Sequence, residues 1–278
     1  MVKRQEKEVF FTTEGVWGGL VSVFSSLLCR GCGAEGGYLC ERCKKYILRG
    51  FQPREILYME EAACAEEKEA ARELEKIFQR AEFLGFRDEL LGEMVEEYKY
   101  QAVRGMGRVI GEMVYEMYFK ELLREEARER KGGRGCSEVI LVPMATNRRH
   151  VRERGFDHMK LVAKGVERKA RGRVRVVPLL ERAKDTVQVG ASDKVREAQA
   201  KGAVRVNPKF LEGETGEFSE EVRRVRVVLL DDVWTTGASM KEAGRVLREA
   251  GVERLNGLVI VKNRRGASPV IRGGEMGE

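Results

Sequence analysis

Two groups of residues in this sequence have types and spacings that could do chemistry. The first is Asp231-Asp232-Val233-Trp234-Thr235-Thr236-Gly237-Ala238-Ser239, which follows the apolar run Val227–Leu230. That run predicts a buried strand, and Met240–Ala250 ahead of Gly251 predicts a helix with a glycine C-cap. A turn between a strand end and a helix start presents backbone N–H groups beside the positive end of the helix dipole, and so cradles phosphate. Thr235, Thr236 and Ser239 add hydroxyl donors, and Gly237 lets the backbone approach a ligand. Asp231 and Asp232 can accept from a sugar diol or touch Mg2+ directly or through water. An ordinary helix cap explains one Asp or Thr. It does not explain two acids, two threonines and a glycine in this order.

The second group is Cys29-x2-Cys32-x7-Cys40-x2-Cys43. Each C-x-x-C turn aims two thiolates at one ion, and two such turns complete a tetrahedral Zn2+ site. With four cysteine ligands no position is left for substrate, so the expected role is structural. Cys64 and Cys136 stand apart and read as small apolar residues.

Elements able to position these groups follow from the pattern. Glu138–Val142, Val174–Leu180, Val225–Leu230 and Leu255–Val261 read as strands, and Val151–Arg168 and Met240–Ala250 as helices. Strands alternating with helices predict an α/β fold with a parallel sheet between helical layers. Upstream, residues 60–129 read as helical, with Leu74, Ile77, Phe78 and Ala81 on one face and Met106–Leu123 as a second helix. Glu212–Glu221 reads as a loop or hairpin.

Bulk properties narrow the partners. The 278 residues carry a formal net charge of +7, with the excess in the C-terminal half, while Glu61–Glu129 is rich in Glu. A basic half attracts nucleotides, pyrophosphate or nucleic acid. Val16–Leu28 is apolar but too short to span a membrane, and acids precede it. We expect no membrane span and a cytoplasmic location, where clustered thiols favour metal over disulfide.

The Asp231–Ser239 run resembles the signature of type I phosphoribosyltransferases. The resemblance implies that Asp231 and Asp232 hold the ribose hydroxyls, and that Thr235, Thr236, Gly237, Ala238 and Ser239 hold the 5-phosphate of 5-phosphoribosyl 1-pyrophosphate. In the 6-oxopurine enzymes of that group an acid stands at the Thr235 position, so hypoxanthine and guanine are not expected acceptors. Three further segments are similar to the competence protein F (ComF/GntX) family: Leu141–Asp157 to its "VP…RR…RERGFN" stretch, Gln188-x7-Arg196 to its later "Q…R..N" segment, and Tyr98-Lys99 to its YK motif. The cysteine group resembles the double zinc ribbon of the same family. Asp157 stands where the family usually has Asn, His158 where it often has Gln, and Gln199 where it has the later Asn.

This resemblance implies a type I phosphoribosyltransferase fold over 131–265. A helix and four-cysteine zinc ribbon over 1–60 and a helical segment over 61–130 would precede it, with a disordered tail over 266–278. Arg148, Arg149 and Arg154 would line a pyrophosphate site with Mg2+, and Gln188 and Arg196 would belong to a lid. His158 reads as a polar residue on a helix face and His150 as an exposed loop residue. The expected activity is phosphoribosyl transfer to an acceptor the sequence does not name. The alternative is a DNA-uptake accessory role, binding single-stranded DNA or a protein partner, with the sugar-phosphate site regulatory or vestigial.

Overall fold

Long apolar runs without polar alternation form strands that must be covered on both faces. In the computed structural model, which describes residues 27–49, 51, 54–55, 72–87, 89–101, 103–132, 138–183, 200–212 and 217–262, three such runs build the centre of a six-stranded sheet. They are β3 (Val139–Pro143), β9 (Arg226–Trp234) and β10 (Arg254–Lys262). Beside β10 lies β2 (Arg80–Phe86), with β1 (Arg54–Glu55) at its edge; beside β3 lies β4 (Val174–Val176). The order is β1-β2-β10-β9-β3-β4, and every neighbouring pair is parallel except β1 with β2.

The connections decide where a ligand can sit. From β3 the chain passes through α5 (Arg148–Arg154) and α6 (His158–Ala170) to β4 on one side. From β9 it passes through α8 (Ala238–Glu249) to β10 on the other. The strand order therefore reverses between β3 and β9, and the crevice at their carboxyl ends is the topological switch point where open α/β sheets bind ligands.

One face of the sheet is covered by α2 (Leu90–Tyr100), α3 (Met106–Val114) and α6. A π-helical turn, Tyr115–Phe119, carries α3 into α4 (Lys120–Lys131). The other face is covered by α8, the helical turn 72–77 and the pair β5 (Leu180–Arg182) and β6 (Val204–Val206). Along β9 the faces alternate: Val228 and Leu230 enter the first layer, and Val227 and Leu229 the second. The hairpin β7 (Leu211–Glu212) and β8 (Glu217–Phe218) leads through α7 (Glu220–Arg224) into β9.

The cysteine segment and α1 (Glu41–Arg49) pack on the first layer through Tyr38, Leu39, Ile47, Leu48 and Phe51. An ion pair between Arg30 and Glu97 ties this module to α2.

Three expectations need correction. The helical reading of 60–129 fails at Arg80–Phe86, which is β2; its Ala, Glu and Leu favour helix, but burial on both faces against β10 overrides a weak propensity. Val151–Arg168 is two helices, because Gly155 adopts φ 75° and ends α5. Val174–Leu180 divides into β4 and the start of β5, which belong to different sheets. The lone Cys64 and Cys136, Val16–Ser26, and the tail from Asn263 lie outside the described residues. No helix among the described residues is long and apolar enough to cross a membrane.

Candidate functional site

The strand β9 runs through both acids rather than ending before them. Alternation along a strand sends adjacent side chains to opposite faces, so Asp231 and Asp232 meet different surroundings. Asp232 points to the α2 and α6 side. Its Oδ2 lies 2.9 Å from Lys99 Nζ and 2.7 Å from His158 Nε2. Burial opposes its ionisation, but the Lys99 ammonium and the His158 hydrogen bond outweigh burial and hold Asp232 well below the usual carboxylate range. Asp231 lies on the α8 side, where its Oδ1 accepts from the Asp232 backbone N–H at 2.9 Å. Burial, together with the charge of Asp232, pushes the Asp231 carboxyl up to about 7. Two neighbouring acids are thus tuned apart.

The donors around Asp232 form a chain. Arg154 Nη1 lies 3.2 Å from His158 Nδ1. A guanidinium only donates, so Nδ1 accepts and Nε2 carries the proton given to Asp232. Tyr98 Oη donates to the His158 carbonyl at 2.8 Å, and its ring stacks on Phe156 with centroids 5.6 Å apart. His158 is therefore a buried member of the site and not simply a polar residue on a helix face. His150 sits on α5, 3.1 Å from Glu153.

The phosphate cradle follows β9. Thr235, Thr236 and Gly237 turn the chain into α8, whose first-turn N–H groups have no partner inside the helix. Gly237 adopts φ 76°, and a Cβ there would stand 2.3 Å from the Trp234 ring, so conformation and space both require glycine. Thr236 Oγ1 accepts from Ala238 N–H at 3.4 Å, while Thr235 and Ser239 are exposed.

The neighbouring loop, Met144–Asn147, leaves β3 beside β9, with Met144 N–H donating to the Leu230 carbonyl at 2.8 Å. Three side chains fix it. Asn147 Oδ1 accepts from Arg149 N–H at 2.8 Å and caps α5. Thr146 Oγ1 donates to Asp157 Oδ1 at 3.0 Å, the same oxygen that caps α6 by accepting from Lys160 N–H at 3.1 Å. Arg182 Nε donates to the Ala145 carbonyl at 2.9 Å. Asp157 can accept both bonds without a donor of its own.

The arginines expected at this loop divide. Arg148 is exposed, with no ion-pair partner among the described residues. Arg149 Nε is turned to Glu153 at 2.6 Å along α5. Arg154 is engaged by His158. Gln188 and Arg196 lie outside the described residues.

Sequence reasoning did not place Lys99, His158 or Arg182 in the site. For Lys99 a signal existed in the Tyr98-Lys99 pair, which carries no hint of its distant partner. Arg182 ends a short strand with no local signal of its own.

In the cysteine module the four Sγ atoms lie within 4.8 Å of one another, and Cys32 Sγ is 3.7 Å from Cys40 Sγ. Zn–S bonds of about 2.3 Å in a tetrahedron place sulfurs about 3.8 Å apart, so the donor set fits Zn2+. Backbone N–H groups also point at sulfur, with Cys40 N–H 3.3 Å from Cys29 Sγ. Burial opposes ionisation of Cys29, but these N–H groups prevail and lower its thiol to about 6. Lys44 turns to Glu41 and Glu112, at 3.6 and 4.0 Å. Native mass spectrometry is expected to find one zinc per chain. Cys40→Ser should weaken its retention by more than the roughly 10–100-fold that loss of an outer-shell partner costs. Equal retention would exclude the cluster as the ligand set.

Residues 167–273 match the phosphoribosyl transferase domain, a span that contains the acid pair and the cradle. No curated protein matches the chain. A phosphoribosyl transferase domain with a parallel sheet between helices is thus present, preceded by a four-cysteine cluster compatible with a zinc ribbon.

Proposed function

We propose that this protein binds 5-phosphoribosyl 1-pyrophosphate with Mg2+ and transfers its phosphoribosyl group to an acceptor, as a ComF/GntX-type phosphoribosyltransferase. The observation that carries the reading is the phosphate cradle at Thr235–Ser239, beside an acid pair and across the switch point from the Met144–Asn147 loop. In this reading Thr235, Thr236, Gly237, Ala238 and Ser239 receive the 5-phosphate. Asp231 and Asp232 accept from the ribose hydroxyls. Arg148, and Arg149 once released from Glu153, meet the pyrophosphate with Mg2+, and Gln188 and Arg196 contribute to a lid. The C1–O bond to pyrophosphate breaks with its electron pair leaving on oxygen, and the acceptor's lone pair forms the new bond to C1. Cations stabilise the leaving group, and no nucleophilic side chain is required.

Ser239→Asp tests the cradle. An acid in the first turn of α8 favours the helix but repels phosphate. The wild type should gain thermal stability with the Mg2+ complex of the donor, by about 2.7 kcal/mol at a hundredfold excess over Kd. The variant should fold equally well and gain nothing. A variant that still responds would move the phosphate elsewhere. Transfer itself is read as pyrophosphate release across a panel of candidate acceptors.

One observation favours a second reading, single-stranded DNA binding. Arg42, Lys45, Tyr46 and Arg49 share one exposed face of α1, with no ion-pair partner among the described residues, and Tyr46 is 78% exposed. Cations beside an aromatic suit a stacked strand. Affinity should then fall steeply with salt, and no salt dependence would remove this reading.

A further inference from the structure

The carboxylate of Asp232 is used on one side only. Lys99 Nζ and His158 Nε2 both converge on Oδ2, at 2.9 and 2.7 Å, while Oδ1 has no partner among the described residues. The residue is 8% exposed, and the two donors on Oδ2 fix the orientation of its side chain. We propose that Lys99 and His158 are positioning residues for sugar recognition: by occupying Oδ2 they aim Oδ1 at a vicinal diol, and Lys99 makes the site's preference for ribose over its deoxy analogue depend on α2. This rests on the sugar-phosphate reading above and assigns a determinant from outside the matched span 167–273.

The placement of Lys99 is itself constrained. Its neighbour Tyr98 is locked by the hydrogen bond to the His158 carbonyl and by stacking on Phe156. Two residues before Lys99, Glu97 pairs with Arg30 of the cysteine module. His158 is held in turn by Arg154 at Nδ1. A carboxylate fixed in this way accepts a hydroxyl proton in one direction. Freed from its donors, it can turn about its own axis and lose that direction. Among the described residues, the hydrogen bond given to the Asp231 carboxylate is that from the Asp232 N–H.

The test uses the full chain and two probes, ribose 5-phosphate and 2-deoxyribose 5-phosphate, titrated calorimetrically. A hydrogen bond to a charged group is worth about tenfold or more in affinity, so the wild type should prefer the ribose form by about that factor. Lys99→Met should bring the ratio near one while binding the deoxy form as the wild type does. That retained binding also shows the variant is folded. Lys99→Arg, which keeps a cation and donors, should restore part of the preference. If Lys99→Met discriminates like the wild type, or loses both ligands equally, the positioning role is wrong although the site stands. If the wild type binds neither sugar, the sugar-phosphate reading falls and this inference with it.

Discussion

Asp232→Ala is expected to destabilise the protein by about 3–5 kcal/mol at pH 7, the usual consequence of removing one partner from a buried ion pair. The alanine strands Lys99 and the Nε2–H of His158, both aimed at Oδ2. Asp232 has a depressed folded pKa, so its contribution is present above the unfolded value near 4 and is lost as pH falls. The stability gap between wild type and variant should therefore narrow in acid. Asp231→Asn should do the reverse. Asp231 is raised to about 7 in the folded state, so its ionisation erodes stability as pH rises from about 4 to 7. The amide keeps the oxygen that accepts from Asp232 N–H and cannot ionise. Its Tm should match the wild type near pH 4 and exceed it at pH 8. Such a gain would mark Asp231 as a residue retained against stability for the sake of the site. Thermal melts of Asp232→Ala at about pH 2 and 6, and of Asp231→Asn at about pH 4 and 8, read the two signs; equal behaviour of the two acids would contradict the split environment.

The second large effect lies at the opposite end of the sheet. Glu126, 2% exposed on α4, accepts from Arg226 Nε at 2.5 Å and from Arg254 Nη1 and Nη2 at 3.0 and 2.9 Å. These arginines open β9 and β10. Arg226 also reaches Gln79 at 2.9 Å and Asn256 at 3.3 Å, and the buried Asn256 donates at 2.9 Å to Tyr118 Oη, which belongs to the π-helical turn. Glu126→Leu leaves a buried guanidinium short of its counter-charge and should cost about 3 kcal/mol or more, lowering Tm by roughly 10 °C. Adding Arg226→Met should recover part of the loss, because the stranded cation causes most of it. If the double variant is no better, the carboxylate's packing carries the effect instead.

The C-terminal half of this fold was legible because its signals are local. The run Val227–Leu230, the acids and Thr-Thr-Gly lie within a dozen residues, and the helix after them ends at a glycine. The cysteine spacing was legible for the same reason, and the four thiols do converge. What escaped is what only folding assembles. The strand Arg80–Phe86 owes its conformation to β10, far along the chain. Lys99 and His158 reach Asp232 across sequence separations that no spacing rule spans. The acids read as an equivalent pair, yet alternation along β9 gives them opposite faces and opposite pKa shifts. His158 looked ordinary because its helix face is filled by α2, whose position the sequence did not specify.

The most direct test of the account is a calorimetric titration of the zinc-loaded protein with 5-phosphoribosyl 1-pyrophosphate and Mg2+, beside Asp231→Asn. That variant should be folded and more stable at neutral pH, so lost affinity reports on the site alone. The account predicts saturable binding at one ligand per chain in the wild type and at least about tenfold weaker binding in the variant. Absence of binding by the wild type, or equal affinity in the variant, would contradict the assignment of this crevice as a sugar-phosphate site.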